Sequence, residues 1–130
     1  MIDTHCHIDD PQYAEDLAAF LADQQASGVE AILVPGVDKT SVKDVLEVCN
    51  KYPQYLFPAL GLHPENVKED WQEQLQLLKA AVDASLASTI GTLEQHKVRL
   101  EPLSSSNLRL VAIGEIGLDY HWDVTFKEQQ

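Results

Sequence analysis

A chain of 130 residues with 45% hydrophobic side chains is long enough for one domain with a sizeable core and too apolar to be disordered. Nine Lys and Arg against 21 Asp and Glu leave a net charge of −12, which argues against unaided binding to nucleic acid or to an anionic membrane. No apolar run approaches the roughly 20 residues of a membrane helix. Cys6 and Cys49 are too few for a disulfide framework, and with no basic and apolar leader at the N-terminus they predict a reducing, cytoplasmic setting.

The first seven residues, Met1 to His7, read as a strand. Side chains alternate across an extended chain, so His5 and His7 project together while Thr4 and Cys6 point the other way. Two neutral imidazoles on one face suit Zn, Mn or another divalent metal. Asp3, Asp9 and Asp10 add negative charge that favours a cation. The structural alternative is a pair of solvated or core histidines.

Asp9-Asp10-Pro11 predicts a helix start, with Tyr13, Leu17, Phe20 and Leu21 at helical spacing from Gln12 to Gln25 and Gly28 as the stop. Val29 to Val34 is a compact apolar run, the pattern of a strand buried on both faces. A second helix is predicted from Thr40 or Ser41 to just before Pro53, with Val42, Val45, Leu46 and Cys49 along one side. Tyr55 to Leu62 predicts a third strand whose early part Pro58 should make irregular or place at an edge. A long helix follows from Val67 to Ala87 with Trp71, Leu75, Leu78 and Val82 buried. Residues 88–108 show no sustained period and read as a surface loop with at most a short helix. Leu108 to Ile113 predicts a fourth strand, and Val124 to Gln130 the start of a further helix.

Strand–helix alternation of this kind predicts an α/β fold with right-handed crossovers and a parallel sheet. Chemistry in such folds gathers at the carboxyl ends of the strands. His5 and His7, His63 and Glu115 each stand at that position in their own unit. Glu115, between Gly114 and Gly117, can bridge two metal ions, which would suit in-line attack on a phosphate ester. Alternatively it caps or forms an ion pair. His63, before Pro64, is metal-adjacent, substrate-facing or only a turn residue. The glycines beside Glu115 are expected to admit close approach to the backbone.

Asp-Thr-His-Cys-His at 3–7, Gly-Leu-His-Pro at 61–64 and Gly-Glu-Ile-Gly-Leu-Asp-Tyr at 114–120 resemble, in this order, the TatD family of metal-dependent deoxyribonucleases. The resemblance implies a TIM barrel and two divalent ions (Zn, Mn or Mg), with His5 and His7 on one ion and Glu115 bridging it to the other. It places His63, Asp119 and Tyr120 near the substrate or behind the ligands. The implied activity is hydrolysis of phosphodiester bonds, 3′–5′ on DNA or another phosphoester. A full barrel takes about 250 residues, so the resemblance covers the N-terminal half, residues 1–130 to just past the fourth strand, with an insertion at 88–108. Further metal histidines on the fifth and sixth strands and an aspartate on the eighth, which family members carry, lie beyond this half.

Two readings follow. One is a hydrolase whose activity is crippled or absent in these 130 residues. The other is a non-catalytic half barrel that keeps a partial metal site and associates with itself through two open strand edges and an exposed inner face bearing Ile2, Ile32, Val34 and Leu60.

Overall fold

The computed structural model describes residues 1–89, 110–122 and 124–130. Four strands, β1 (Ile2–Asp3), β2 (Ala31–Pro35), β3 (Leu56–Leu60) and β4 (Ala112–Ile113), form one sheet in the order β1-β2-β3-β4. Every neighbouring pair is parallel. The connections carry three helices, α1 (Leu17–Ala26), α2 (Ser41–Lys51) and α3 (Trp71–Thr89). These are successive β/α units of a TIM barrel, with each strand beside its predecessor in the chain. No helix among the described residues is long and apolar enough to cross a membrane.

Residues paired in register share a face of the sheet. Ile32 pairs with Leu56, Val34 with Pro58 and Leu60 with Ile113. Ile32, Val34, Leu56 and Leu60 are buried in one cluster with Val45, Val48 and Cys49 of α2 and Leu78 of α3. That face is therefore the one the helices cover. The expectation that Ile32, Val34 and Leu60 line an open inner face is corrected: they form the sheet's half of the helix–sheet core. Ile2, at 63% exposed, is the one of the four that meets water.

Element boundaries move for identifiable reasons. Asp10 accepts from Gln12 N at 2.8 Å, but it caps a 3₁₀ turn over Pro11–Tyr13. The α-helix begins only at Leu17, with Phe20 N bonding Asp16 O at 2.9 Å. Gly28, at φ 88°, ends the connection in the left-handed region. The helix expected from Val67 begins at Trp71, after a 3₁₀ turn at Pro64–Asn66 capped by His63. Val67 is extended and buried.

Pro58 is neither irregular nor at an edge on the β2 side. Tyr55 O and Ala59 O accept from Ile32 N and Gly36 N, so the odd residues of β3 face β2. Pro58 faces the other way, one residue before the β3–β4 pairing begins at Ala59 and Ala112, and its carbonyl accepts from Val111 N at 3.1 Å. The missing N–H leaves the β2–β3 ladder whole.

Helix α2 is held at its start by Asp38. One carboxylate oxygen accepts from Thr40 N (2.9 Å), Thr40 Oγ1 (2.7 Å) and Ser41 N (2.8 Å), while Ser41 Oγ accepts from Val37 N at 2.9 Å. Burial works against the Asp38 charge, but these hydrogen bonds outweigh it and hold the carboxyl below its ordinary value. Val45, Val48 and Cys49 form its buried side, and desolvation pushes the Cys49 thiol up to about 12.

Helix α3 departs most from its expected pattern. Leu78 is buried, but Leu75 is 52% exposed, and the polar Gln74 is buried instead. Gln74 Nε2 donates to Asn66 O (3.1 Å) and Asp70 Oδ1 (3.0 Å), and its Oε1 accepts from Lys39 N (3.4 Å). The Leu75 side faces a groove of about 540 Å³ between α3 and β4, lined by Leu60, Leu62, Trp71, Val82, Ile113 and Ile116. The predicted loop at 88–108 lies outside the described residues from residue 90 on, as do residues 108–109 of the predicted fourth strand. Val124 to Gln130 makes turns, with one helical bond from Gln130 N to Phe126 O at 3.2 Å.

Candidate metal centre

The regular ladder of β1 stops at Asp3, but the chain continues beside β2, with Cys6 N donating to Leu33 O at 3.2 Å. Asp3 Oδ1 accepts from His5 N at 3.0 Å and fixes the path between them. Asp3 pairs with Ile32 whereas Cys6 takes the place beside Val34, so one extra residue bulges between them and the alternation resumes one residue out of step. Cys6 packs against the core cluster, while His5 and His7 turn to the opposite side with ring centroids 5.0 Å apart. Their Nε2 atoms are 3.1 Å apart.

Glu115 reaches the same place from the far end of the chain. Gly114 N donates to Leu60 O at 3.0 Å and Glu115 N to Gly36 O at 2.8 Å, so the end of β4 is tied to the ends of β3 and β2. Its Oε2 lies 3.4 Å from His7 Nε2 and its Oε1 3.5 Å from His5 Nε2. The close backbone approach expected at Gly114 and Gly117 occurs elsewhere. A side chain at either of those glycines would meet nothing within 4 Å, whereas a Cβ at Gly61 would overlap the Glu115 carbonyl oxygen and the carbonyl carbon of Gly114. Gly61 is the positioning residue that the sequence pattern did not single out; its place directly after the β3 run, two residues before His63, was the available signal.

His63 is near the cluster but differs in kind. Its Nδ1 accepts from Glu65 N at 3.2 Å, which puts the proton of a neutral ring on Nε2. That Nε2 faces Glu115 Oε1 at 3.9 Å, too long for a hydrogen bond. His63 thus presents an N–H donor toward the site. Asp119 and Tyr120 lie outside the cluster. Asp119 N is held by Gln130 Oε1 at 2.8 Å, and Tyr120 is exposed with Lys127 Nζ 4.9 Å from its ring centroid. Asp10 is spent on its cap. Asp9 has one buried carboxylate oxygen without a hydrogen-bond partner, and burial pushes its carboxyl up.

One donor atom each from His5, His7 and Glu115 lies within 4.8 Å of the others. Two imidazole nitrogens and one carboxylate oxygen converging on a point are a donor set that could hold a divalent cation with further positions open to water or substrate. The cluster is half-exposed at the strand ends, so its outer side is accessible.

A family model described as TatD related DNase matches residues 2–130. The chain belongs to that family. It is 30% identical over 130 residues to the uncharacterized metal-dependent hydrolase YabD of Bacillus subtilis, covering 100% of this chain and 42% of that protein. It is 24% identical over 130 residues to the 3'-5' ssDNA/RNA exonuclease TatD of Erwinia tasmaniensis, covering 100% of this chain and 41% of that one. Among solved structures, YJJV, a TatD homolog from Escherichia coli k12, superposes with a TM-score of 0.70 at 31% identity, over 99% of this chain and 41% of that one. The chain thus spans about two fifths of the length of the relatives it matches. The four parallel strands with their helices are the first β/α units of the TIM barrel seen in that TatD homolog.

Proposed function

We propose that His5, His7 and Glu115 hold a divalent cation, Zn, Mn or Mg, as part of a two-ion site for hydrolysis of phosphodiester bonds in DNA. The observation that carries this reading is the convergence of the three donor atoms within 4.8 Å from opposite ends of the chain. Such a cation supplies positive charge against a phosphate and makes water more acidic. In this reading His5 and His7 bind through Nε2 with their protons on Nδ1. Glu115 keeps the site negative enough to attract the ion, and its second oxygen is free to reach another. His63, with its proton on Nε2, donates to a phosphate oxygen beside Glu115. Strand shortening from the 3′ end is supported by the name of the Erwinia relative and by the motifs at 3–7 and 114–120. Three donors leave the ion loosely held, so the 130 residues by themselves are slow.

The test is titration calorimetry with Zn and Mn, beside hydrolysis of a labelled single strand. Binding weakens by about a hundredfold or more in His5→Ala and Glu115→Gln, and by about tenfold at most in His63→Ala. Unchanged binding in the first two variants would reject the site, and rapid degradation by the chain would reject its crippled state.

A second reading, self-association, is favoured by the groove between α3 and β4 and by strand edges at β1 and β4 that have no strand partner among the described residues. A two-fold axis along the strands would pair β4 of one copy with β1 of another, keep all strands parallel and close a barrel of two halves.

A further inference from the structure

The loop that joins β2 to α2, Gly36 to Thr40, gives no donor to the metal cluster, yet it holds two residues of the site by their backbones. Gly36 O accepts from Glu115 N and Val37 O from His63 N, each at 2.8 Å. Consecutive carbonyls thus receive the amide of the cluster's carboxylate and that of the histidine facing it. Val37 O accepts a second bond, from Asn66 Nδ2 at 3.1 Å. The place of this loop therefore bears on the place of both residues. Two supports hold it. Ser41 Oγ accepts from Val37 N (2.9 Å) and Asp38 N (3.1 Å), which ties the loop to its own helix, α2. The other support comes from α3. Gln74 Oε1 accepts from Lys39 N at 3.4 Å, while its Nε2 donates to Asn66 O at 3.1 Å and to Asp70 Oδ1 at 3.0 Å. Asn66 belongs to the turn that His63 caps, and Asn66 N donates to His63 O at 2.8 Å.

We propose that Gln74 is a positioning residue for the site: its buried amide clamps the β2–α2 loop to the His63 turn, and through the carbonyls of Val37 and Gly36 it sets the places of His63 and Glu115. The inference deepens the cation and phosphodiester reading and rests on it. Burial is the discriminating observation. Gln74 is 5% exposed, the one amide or charged side chain buried among the described residues. An amide is costly to bury unless its hydrogen bonds are made, and here both N–H groups and the oxygen are engaged. A leucine could fill much of the same volume but could tie nothing together. Lys39 Nζ also reaches α3, at 2.7 Å from Asp70 Oδ2 and 3.4 Å from Glu73 Oε2. Those carboxylates stand in water, so salt screens the pair and the buried amide is the firmer link. Helix α3, which gives the cluster no donor, thereby supports it from behind.

The experiment is native-state amide exchange and side-chain nitrogen NMR on the metal-free 130-residue protein, followed by calorimetric titration with Zn. Above neutral pH the parent's His63 shows one tautomer, protonated at Nε2, and the amides of His63 and Glu115 are protected. Gln74→Leu speeds exchange at those two amides by about tenfold or more, while Ile32 N and Gly36 N of the β2–β3 ladder keep the parent's protection. Its His63 samples both tautomers, and its Zn affinity falls about tenfold, as expected for loss of a support behind the ligands. Asn66→Ala removes only the side-chain bond to Val37 O, gives the same pattern in smaller degree, and decides the matter if Gln74→Leu does not fold. The proposal is overturned if the two amides and the ladder speed up by one common factor, which is a loss of stability alone. It is equally overturned if Gln74→Leu matches the parent in exchange or in Zn affinity. A parent that binds no Zn rejects the cation reading and the proposal with it, whereas a parent that binds Zn beside an unaffected Gln74→Leu rejects the proposal alone.

Discussion

Gly61 and Glu115 touch through their backbones: the Cα of Gly61 stands where any side chain would collide with the Glu115 carbonyl oxygen. This contact lets the end of β4 settle against the end of β3, and it fixes where the Glu115 carboxylate emerges. Gly61→Ala forces the two strand ends apart because both colliding groups are backbone. The expected cost is about 1–3 kcal/mol of stability, typical of an overpacked site, with about tenfold weaker Zn or Mn binding. Urea unfolding and calorimetry on the same variant check both. An alanine that changes neither would mean that the two strand ends do not meet.

Asp38 predicts a pH dependence. Its folded-state value is held below the ordinary carboxylate value, so its contribution to stability is present above that ordinary value and fades as pH falls toward the folded one. Asp38→Asn keeps an accepting oxygen but loses the charge, and should be less stable than the parent at neutral pH by about 0.3–1 kcal/mol, the worth of a negative charge at a helix start. Below the aspartate range the two proteins should converge. Denaturation at neutral and acid pH measures the gap; one that stays constant into acid would show that the charge does not matter.

Cys49 is fully enclosed by the α2–sheet core and its thiol is pushed to about 12. It should resist a thiol reagent at neutral pH and react only when the core opens. Labelling with and without denaturant, with Cys49→Ala as control, tests this. Fast modification of Cys49 in the native protein would contradict the packing of α2.

The groove beside α3 and the open edges predict assembly. Sedimentation at micromolar concentration should give a dimer or larger species, and Leu75→Glu, placed where an apolar face meets water, should shift it toward monomer. A monodisperse, well-folded monomer would remove self-association.

What the sequence showed and withheld follows from distance along the chain. His5 and His7 were legible as a pair because alternation is local, but the one-residue bulge after Asp3 that turns Cys6 to the core and the two imidazoles to the open face was not. Glu115 stood out by its place after an apolar run. The order of strands and helices followed from periodicity together with the Asp, Gly and Pro signals that bound each run. The burial of Gln74 was not legible, because its bonds run to Lys39 in another connection and to the carbonyl of Asn66 in the turn ahead of its own helix. Leu75 reads as a core residue by spacing, yet the face it occupies borders the groove. The start of α1 moved because Asp10 can cap a 3₁₀ turn as well as an α-helix, and spacing does not distinguish them.

Among the described residues the pairing of β3 with β4 spans Ala59 with Ala112 and Leu60 with Ile113. The first three strands meet their neighbours in the order they leave the ribosome, so each can dock once its predecessor is in place. His5 is made well before Glu115, and it waits for that carboxylate until the short β3–β4 seam closes. Amide exchange should find the seam opening at lower free energy than the β2–β3 ladder. Each such opening separates the carboxylate from the imidazoles while the core remains folded, so the lifetime of the assembled cluster is set by this seam and by the bonds from Gly114 N and Glu115 N that extend it.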